Sequence, residues 1–307
     1  MKIKEYNFPS ATGVCEIHGS IFLPDDNEVK TVLAVHHGMA EHKKRYHDFF
    51  QYLTSNGIAV FMHDMANHGK SNQNSELTGY FGNKNGYKSL VKDFKTTFDM
   101  AKNAFPDKKL IVMGHSMGSF IVRCFTAWYN DSPFDAAIYM GTGSANPIAA
   151  IGDKVTAMVA KLSGYTSKSK LLDKMTFGAY NDKFEKRTPF DWLSRDTEQV
   201  DKYVSDDECG FLFSAQGMND LVKLNMSANT DEWFESVPKD KPILLISGDM
   251  DPVGDYGRGI MDIYDKLIAT NHSKAQIKLY SLARHEILNE INKDEVYEDL
   301  LSYIESV

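Results

Sequence analysis

Short β-branched and aliphatic runs alternate along this chain with longer helical patterns, and few architectures accept that rhythm. "TVLAVHHG" (31–38), "IAVFMHD" (58–64), "KLIVMG" (109–114), "AAIYMG" (136–141), "PILLISG" (242–248) and "AQIKLYSL" (275–282) read as strands. Helical patterns fall at about 43–56, 86–104, 117–129, 257–270 and from about 294 to the end. Runs this apolar belong to strands covered on both faces, and strand–helix alternation demands right-handed crossovers in a mostly parallel sheet. The first twenty-odd residues, with "VCEIHGSIFLP", read instead as an antiparallel hairpin on one edge. The predicted class is therefore α/β, with helices on both faces of the sheet.

Residues 144 to about 237 interrupt the rhythm. They hold several helical patterns, many aromatic residues and methionines, and no convincing strand. So long a structured stretch between two core strands is not a simple connector. The predicted organisation is a core of residues 1–143 and 238–307 with a helical cap, 144–237, inserted over the carboxyl ends of the strands. Open α/β sheets bind ligands at that edge.

Gly114-His115-Ser116-Met117-Gly118 fits G-x-S-x-G at the point where a strand becomes a helix. A tight turn needs small residues, and that alone accounts for the glycines. A serine aimed from the turn toward a substrate accounts for the whole pattern, because the next helix begins with free N–H groups and the positive end of its dipole. Serine is a poor nucleophile without a base. His285 lies in "LARHEILNE", just after the last strand and at the same sheet edge. An acid must orient that imidazole, and "SGDMDPVGD" offers Asp249, Asp251 and Asp255 after the preceding strand, with Asp251 favoured and Asp249 its competitor. The oxyanion of an acyl transfer needs N–H donors. Met117, following the serine, supplies one, and Met39, following Gly38 in "HHGMAEH", supplies the other. Strand-end packing is the simpler account of His36 and His37. His37 is still carried forward, with Gly38 and His115, as a residue against which substrate would lie.

Other function classes fit poorly. A formal net charge of -8 argues against a nucleic-acid partner. No apolar run reaches the length of a membrane span, and the opening "MKIKEYNFPSATG" does not read as a secretory signal. Cys15, Cys124 and Cys209 form no CxxC pair, which fits a reduced, cytoplasmic setting. The histidines at 36, 37, 42 and 47 have no cysteine or carboxylate at a familiar ligand spacing, so no metal and no organic cofactor is expected.

With these residues in view, the chain resembles the α/β-hydrolase superfamily, and within it the monoacylglycerol lipase and lysophospholipase branch grouped with S33 serine aminopeptidases. The stretches that carry the resemblance are "VHHGMAEHKKRY", "HDMANHGKS", "VMGHSMGS", "LLISGDMDPVGDYG" and "ARHEILNE", which span most of the core in the family's order. The resemblance implies an α/β-hydrolase fold with the triad Ser116, Asp251 and His285, in that chain order, and oxyanion donors at Met39 and Met117. The match of "SGDMDPVG" to the family's acid turn favours Asp251 over Asp249. Two positions depart from the pattern. Asn67 stands where a glycine is usual, and Met39 is larger than the residue common there and would narrow the adjacent wall.

The expected reaction is hydrolysis of carboxylic esters of single-chain lipids, monoacylglycerols or lysophospholipids, through an acyl-enzyme on Ser116. Short-chain carboxylesterase, thioesterase and aminopeptidase are the rival activities, and a non-catalytic lipid-binding protein on the same fold is a rival of another class. The aminopeptidase would need carboxylates such as those of "SDDECG" (205–210) to grip an amine. The cap's methionines and aromatics suit either an acyl-chain tunnel or the cap's own core. Between Lys154 and Arg187 the sequence carries eight basic and three acidic residues. That balance suits transient contact of the cap with an anionic membrane surface, or simply a solvated helix face.

Overall fold

The computed structural model describes residues 1–25 and 28–307. Its strands are β1 (Lys2–Pro9), β2 (Glu16–Leu23), β3 (Thr31–His36), β4 (Ile58–His63), β5 (Lys109–His115), β6 (Ala136–Met140), β7 (Ile243–Gly248) and β8 (Ala275–Tyr280). They form one eight-stranded sheet in the order β1-β2-β4-β3-β5-β6-β7-β8. β1 and β2 pair antiparallel, β2 runs antiparallel to β4, and every other neighbouring pair is parallel. This is the α/β-hydrolase arrangement with the edge hairpin the sequence implied.

Alternation along each strand divides the interior into two layers. In β3 and β5, Val32, Ala34, Leu110 and Val112 join one core, while Leu33, Val35, Ile111 and Met113 join the other. Helices α1 (His47–Ser55) and α10 (Lys293–Ser306) cover the second face, with Phe49, Phe50, Leu53, Leu300 and Ile304 buried there. The first face is covered by α2 (Gly86–Ala104), α3 (Met117–Trp128) and α9 (Arg258–Ala269). Burying both faces of the central strands is what their unbroken apolar runs required.

Between β6 and β7 the described chain forms α4 (Ala149–Ser163), α5 (Lys170–Phe177), α6 (Thr197–Ser205), α7 (Ala215–Ser227) and α8 (Asp231–Ser236), and no strand. Its two halves differ. Met218, Leu221 and Leu224 of α7 and Trp233 and Phe234 of α8 are buried in the same core as α2 and α3. By contrast Ile151, Met158, Leu162, Leu171 and Met175, on α4 and α5, are exposed. Arg123 on α3 fastens the inner half. It is fully buried, donates to the carbonyls of Gly143 and Ala228, and stacks 4.4 Å from the Trp233 ring centroid.

Asn67 adopts φ 55°, the left-handed conformation that a glycine would take most freely. Its side chain compensates by donating to the Tyr80 carbonyl at 2.6 Å. The loop therefore keeps the glycine geometry with a residue that can also cross-link it.

Candidate active site

Ser116 sits between β5 and α3 with φ 54° and ψ −122°, a conformation costing about 1–3 kcal/mol for a residue with a side chain. Packing enforces it. The Ser116 N–H donates to the Met140 carbonyl of β6 at 2.9 Å. A Cβ on Gly114 would lie 2.3 Å from the Gly118 carbonyl oxygen, and one on Gly118 would lie 2.3 Å from that of His37 and 2.4 Å from that of His36. The two motif glycines thus let α3 start in direct contact with β5 and β3, which is the role expected of small residues in this turn.

The chain brings Asp251 and His285 together from the ends of β7 and β8. His285 Nδ1 lies 2.9 Å from Asp251 Oδ1, and both residues are buried. Asp251 is held in turn by the Ser247 hydroxyl and the Val253 N–H, each at 2.9 Å. Since Asp251 accepts, Nδ1 carries the proton and Nε2 is left with its lone pair. Among the described residues Ser116 Oγ makes no hydrogen bond to His285, a contact of the kind that tightens when substrate is bound. Asp249 lies apart, accepting the Leu282 N–H at 2.7 Å, and Asp255 pairs with Arg258 at 2.7 Å.

Gly38, Met39, His115, Ser116, Met117 and His285 all line one cavity of about 640 Å³ under the inserted helices. Among the described residues, neither the Met39 N–H nor the Met117 N–H has a protein acceptor. Glycine is required at position 38, where a Cβ would lie 2.8 Å from Glu41 Oε1 and 3.1 Å from Ser116 Cβ. His37 does not reach the cavity, and its placement against substrate is corrected. It is fully buried, with Nδ1 2.8 Å from the Gly38 carbonyl and Nε2 accepting the Met65 N–H at 2.8 Å. Both ring nitrogens therefore serve the backbone of two loops.

A buried ionic network beside the site was not foreseen from sequence. Glu41 accepts from Gly38 N–H at 2.6 Å, from the Tyr46 hydroxyl at 2.9 Å and from Arg45 at 2.9 Å, and lies 3.2 Å from His115 Nδ1. Arg45 also makes two 2.6 Å bonds to Glu286, next to His285 in the chain. Burial opposes ionisation of Glu41, yet His115 and Arg45 hold its carboxyl well below the usual range. Burial likewise opposes a charge on His115, but Glu41, then Glu286, carry its pKa above the ordinary value. His115 packs against His285 with ring centroids 4.7 Å apart and the rings tilted by 40°, and Trp192 packs on His285 at 5.1 Å. The one sequence signal was the i,i+4 spacing of Glu41 and Arg45 in "EHKKR".

The insertion grips both catalytic-edge loops. The Ala40 carbonyl accepts from the Tyr203 hydroxyl and the Gly210 N–H, each at 3.0 Å. The N–H groups of His285 and Glu286 donate to the carbonyls of Trp192 and Leu193, at 3.4 and 2.7 Å. Arg284 reaches the Asp191 and Ser194 carbonyls and forks onto Glu185 at 2.8 and 2.9 Å.

Against this geometry, the sequence model described as "Serine aminopeptidase, S33" matches residues 27–292. The chain belongs to this family. Among curated relatives, a monoacylglycerol lipase of Mycolicibacterium smegmatis is 26% identical over 312 residues, covering 98% of this chain and 97% of its own. The monoglyceride lipase of Mus musculus is 26% identical over 264 residues, covering 85% of this chain and 77% of its own. Among solved structures, a thermostable carboxyl esterase from Bacillus coagulans, in complex with glycerol, superposes with a TM-score of 0.93 at 29% identity, covering 100% of this chain and 99% of that one. The α/β-hydrolase fold and the lipase-like branch of the family are thus shared over essentially the full length of the chain.

Proposed function

We propose that the protein is a serine hydrolase that cleaves carboxylic esters of single-chain lipids, of monoacylglycerol or lysophospholipid type, through an acyl-enzyme on Ser116. The observation that carries this reading is the strained Ser116, with the Asp251–His285 pair and two unengaged N–H groups, on the wall of one large cavity. His285 Nε2 takes the hydroxyl proton as Oγ attacks the ester carbonyl. The N–H groups of Met39 and Met117 receive the oxyanion, each contributing about 3–4 kcal/mol to the barrier reduction. His285 then gives the proton to the departing alcohol, and a water activated by the same nitrogen releases the acid. No metal or cofactor takes part.

The cavity lining supports a lipid acyl chain. Besides the groups around Ser116, its walls include Phe120, Val155, Leu172, Met175, Phe177 and Leu221, residues of the core and of α4, α5 and α7. The names of the relatives, lipases and an esterase, support ester chemistry over amide chemistry. Two of the three carboxylates of 205–210 give an aminopeptidase little help, because Asp206 is bound by His42 and Glu208 by Lys44, at 2.9 Å each.

Residues 144–237 act in this reading as the cap, with the outer half of the insertion as the part that meets lipid. No helix of the described chain is long and apolar enough to cross a membrane. The exposed Ile151, Met158, Leu162, Leu171 and Met175, set among the lysines of α4 and α5, support transient contact with an anionic surface instead. Three free cysteines are consistent with a cytoplasmic setting. Turnover of glycerol, choline and amide conjugates across acyl lengths tests the assignment. Highest kcat/KM is expected on long-chain glycerol or choline esters. Preference for amides, or for acetyl esters alone, would overturn it.

A further inference from the structure

The acidic stretch 205–210 folds back onto the loop that follows β3. Asp206 Oδ2 lies 2.9 Å from His42 Nε2, and Glu208 Oε2 lies 3.9 Å from the same nitrogen. Cys209 completes the group: ligand atoms of His42, Asp206 and Cys209 all fall within 4.8 Å of one another. His42 and Cys209 are buried, and Asp206 is half-buried. A 2.9 Å hydrogen bond joins His42 Nε2 to Asp206 and leaves two groups without partners. Among the described residues, His42 Nδ1 is buried with no hydrogen-bond partner, and Cys209 is a free thiol whose Sγ makes no hydrogen bond.

We propose that His42, Asp206 and Cys209 form a binding site for a divalent transition-metal cation of borderline softness, with Zn2+ the natural match. An imidazole nitrogen, a carboxylate oxygen and a thiolate favour zinc over the hard cations Mg2+ and Ca2+. Ligands of a tetrahedral zinc lie about 3.3–3.8 Å apart, so shifts of about 1 Å close the cluster. Glu208, whose Oε2 lies 3.9 Å from His42 Nε2, can supply the fourth ligand. A thiol ligates as its thiolate, so forming the metal–sulfur bond releases one proton to solvent.

No short sequence motif marks this site, because His42 is separated from Asp206 by 164 positions. Its location gives it a consequence. It joins the loop that presents the Met39 N–H to the inserted segment whose Tyr203 and Gly210 already hold the Ala40 carbonyl. An ion there ties cap to oxyanion loop, independently of the reaction assigned to Ser116.

The test uses the full chain, reduced and stripped with chelator, titrated with Co2+ as a spectroscopic probe and with Zn2+ by calorimetry. Expected are one equivalent of either ion per chain, a thiolate-to-cobalt charge-transfer band, one proton released per ion, and a higher Tm with Zn2+. Cys209→Ser should abolish the band while keeping the near-UV circular dichroism and ester turnover of the parent. His42→Asn, which removes a direct ligand, should weaken Zn2+ binding at least as much as the about ten- to hundredfold typical of losing an outer-shell partner, and Cys15→Ser should change neither. A parent that binds no stoichiometric ion, or a band that persists in Cys209→Ser, overturns the proposal.

Discussion

At the scale of single residues, the site divides into groups that do chemistry and groups that hold them. In the proposed reaction Asp251 orients His285 and stabilises its cation, so Asp251→Asn is expected to lower kcat about 10⁴-fold with the fold intact. Asp249→Asn, which touches only the Leu282 N–H, should leave kcat close to the parent value. Steady-state kinetics of the two variants side by side decides between the acids, and equal losses would contradict the assignment. The placement of Ser116, Asp251 and His285 at one sheet edge was legible because each follows its own strand, where chain order converts directly into position. His37 was misplaced because a strand-end histidine can face either way, and only its two backbone bonds reveal that it faces inward. Glu41, Arg45 and Glu286 escaped notice because 241 positions separate Arg45 from Glu286, and no local pattern announces a buried network of that span.

At the scale of elements, the junction of β5 with α3 is the most constrained part of the chain. Gly118→Ala would drive a methyl against two carbonyl oxygens of the backbone around His36 and His37, where no side chain can give way. A loss of about 1–3 kcal/mol or more is expected, read as a lower urea midpoint. Gly164→Ala, whose Cβ would meet nothing within 4 Å, should lose less, limited to the strain of its positive φ. Strands and core helices were legible to within two residues because burial on both faces writes an unbroken apolar run, except that the helix expected from 43 opens as a 3-10 turn over Lys43–Tyr46 and becomes α1 only at His47. The inserted helices were legible only as a helical region. Their apolar residues divide between the core, as with Trp233, and an exposed outer face, as with Leu162, and sequence periodicity does not distinguish the two. Arg284 shows how the insertion and the base are coupled. Arg284→Ala removes the clamp on residues 185–194, and kcat should fall more than the urea midpoint does.

At the scale of the whole molecule, four buried histidines set the response to acid. Burial holds His36 and His68 down to about 3 and keeps His37 and His63 below the ordinary value. The unfolded chain therefore binds protons on these groups below about pH 6.5 while the folded chain does not. Stability is fully present above that pH and declines as pH falls toward 3, by about 1.4 kcal/mol per pH unit for each histidine fully engaged. Glu41, held low by His115 and Arg45, adds to the decline below its unfolded value, while His115, held high by Glu41, offsets part of it. Urea midpoints measured from pH 8 to pH 4 should fall throughout the lower half of that range. A flat profile would mean that these histidines are solvated in the folded chain. The central proposal is attack by the Ser116 hydroxyl on an ester carbonyl, and one measurement addresses it most directly. Purified Ser116→Ala, with the urea midpoint of the parent, is mixed with a long-chain monoacylglycerol and, separately, with a fluorophosphonate probe. Turnover should fall to the background rate and labelling should vanish; hydrolysis or labelling at the parent's level would contradict the assignment of Ser116 as nucleophile.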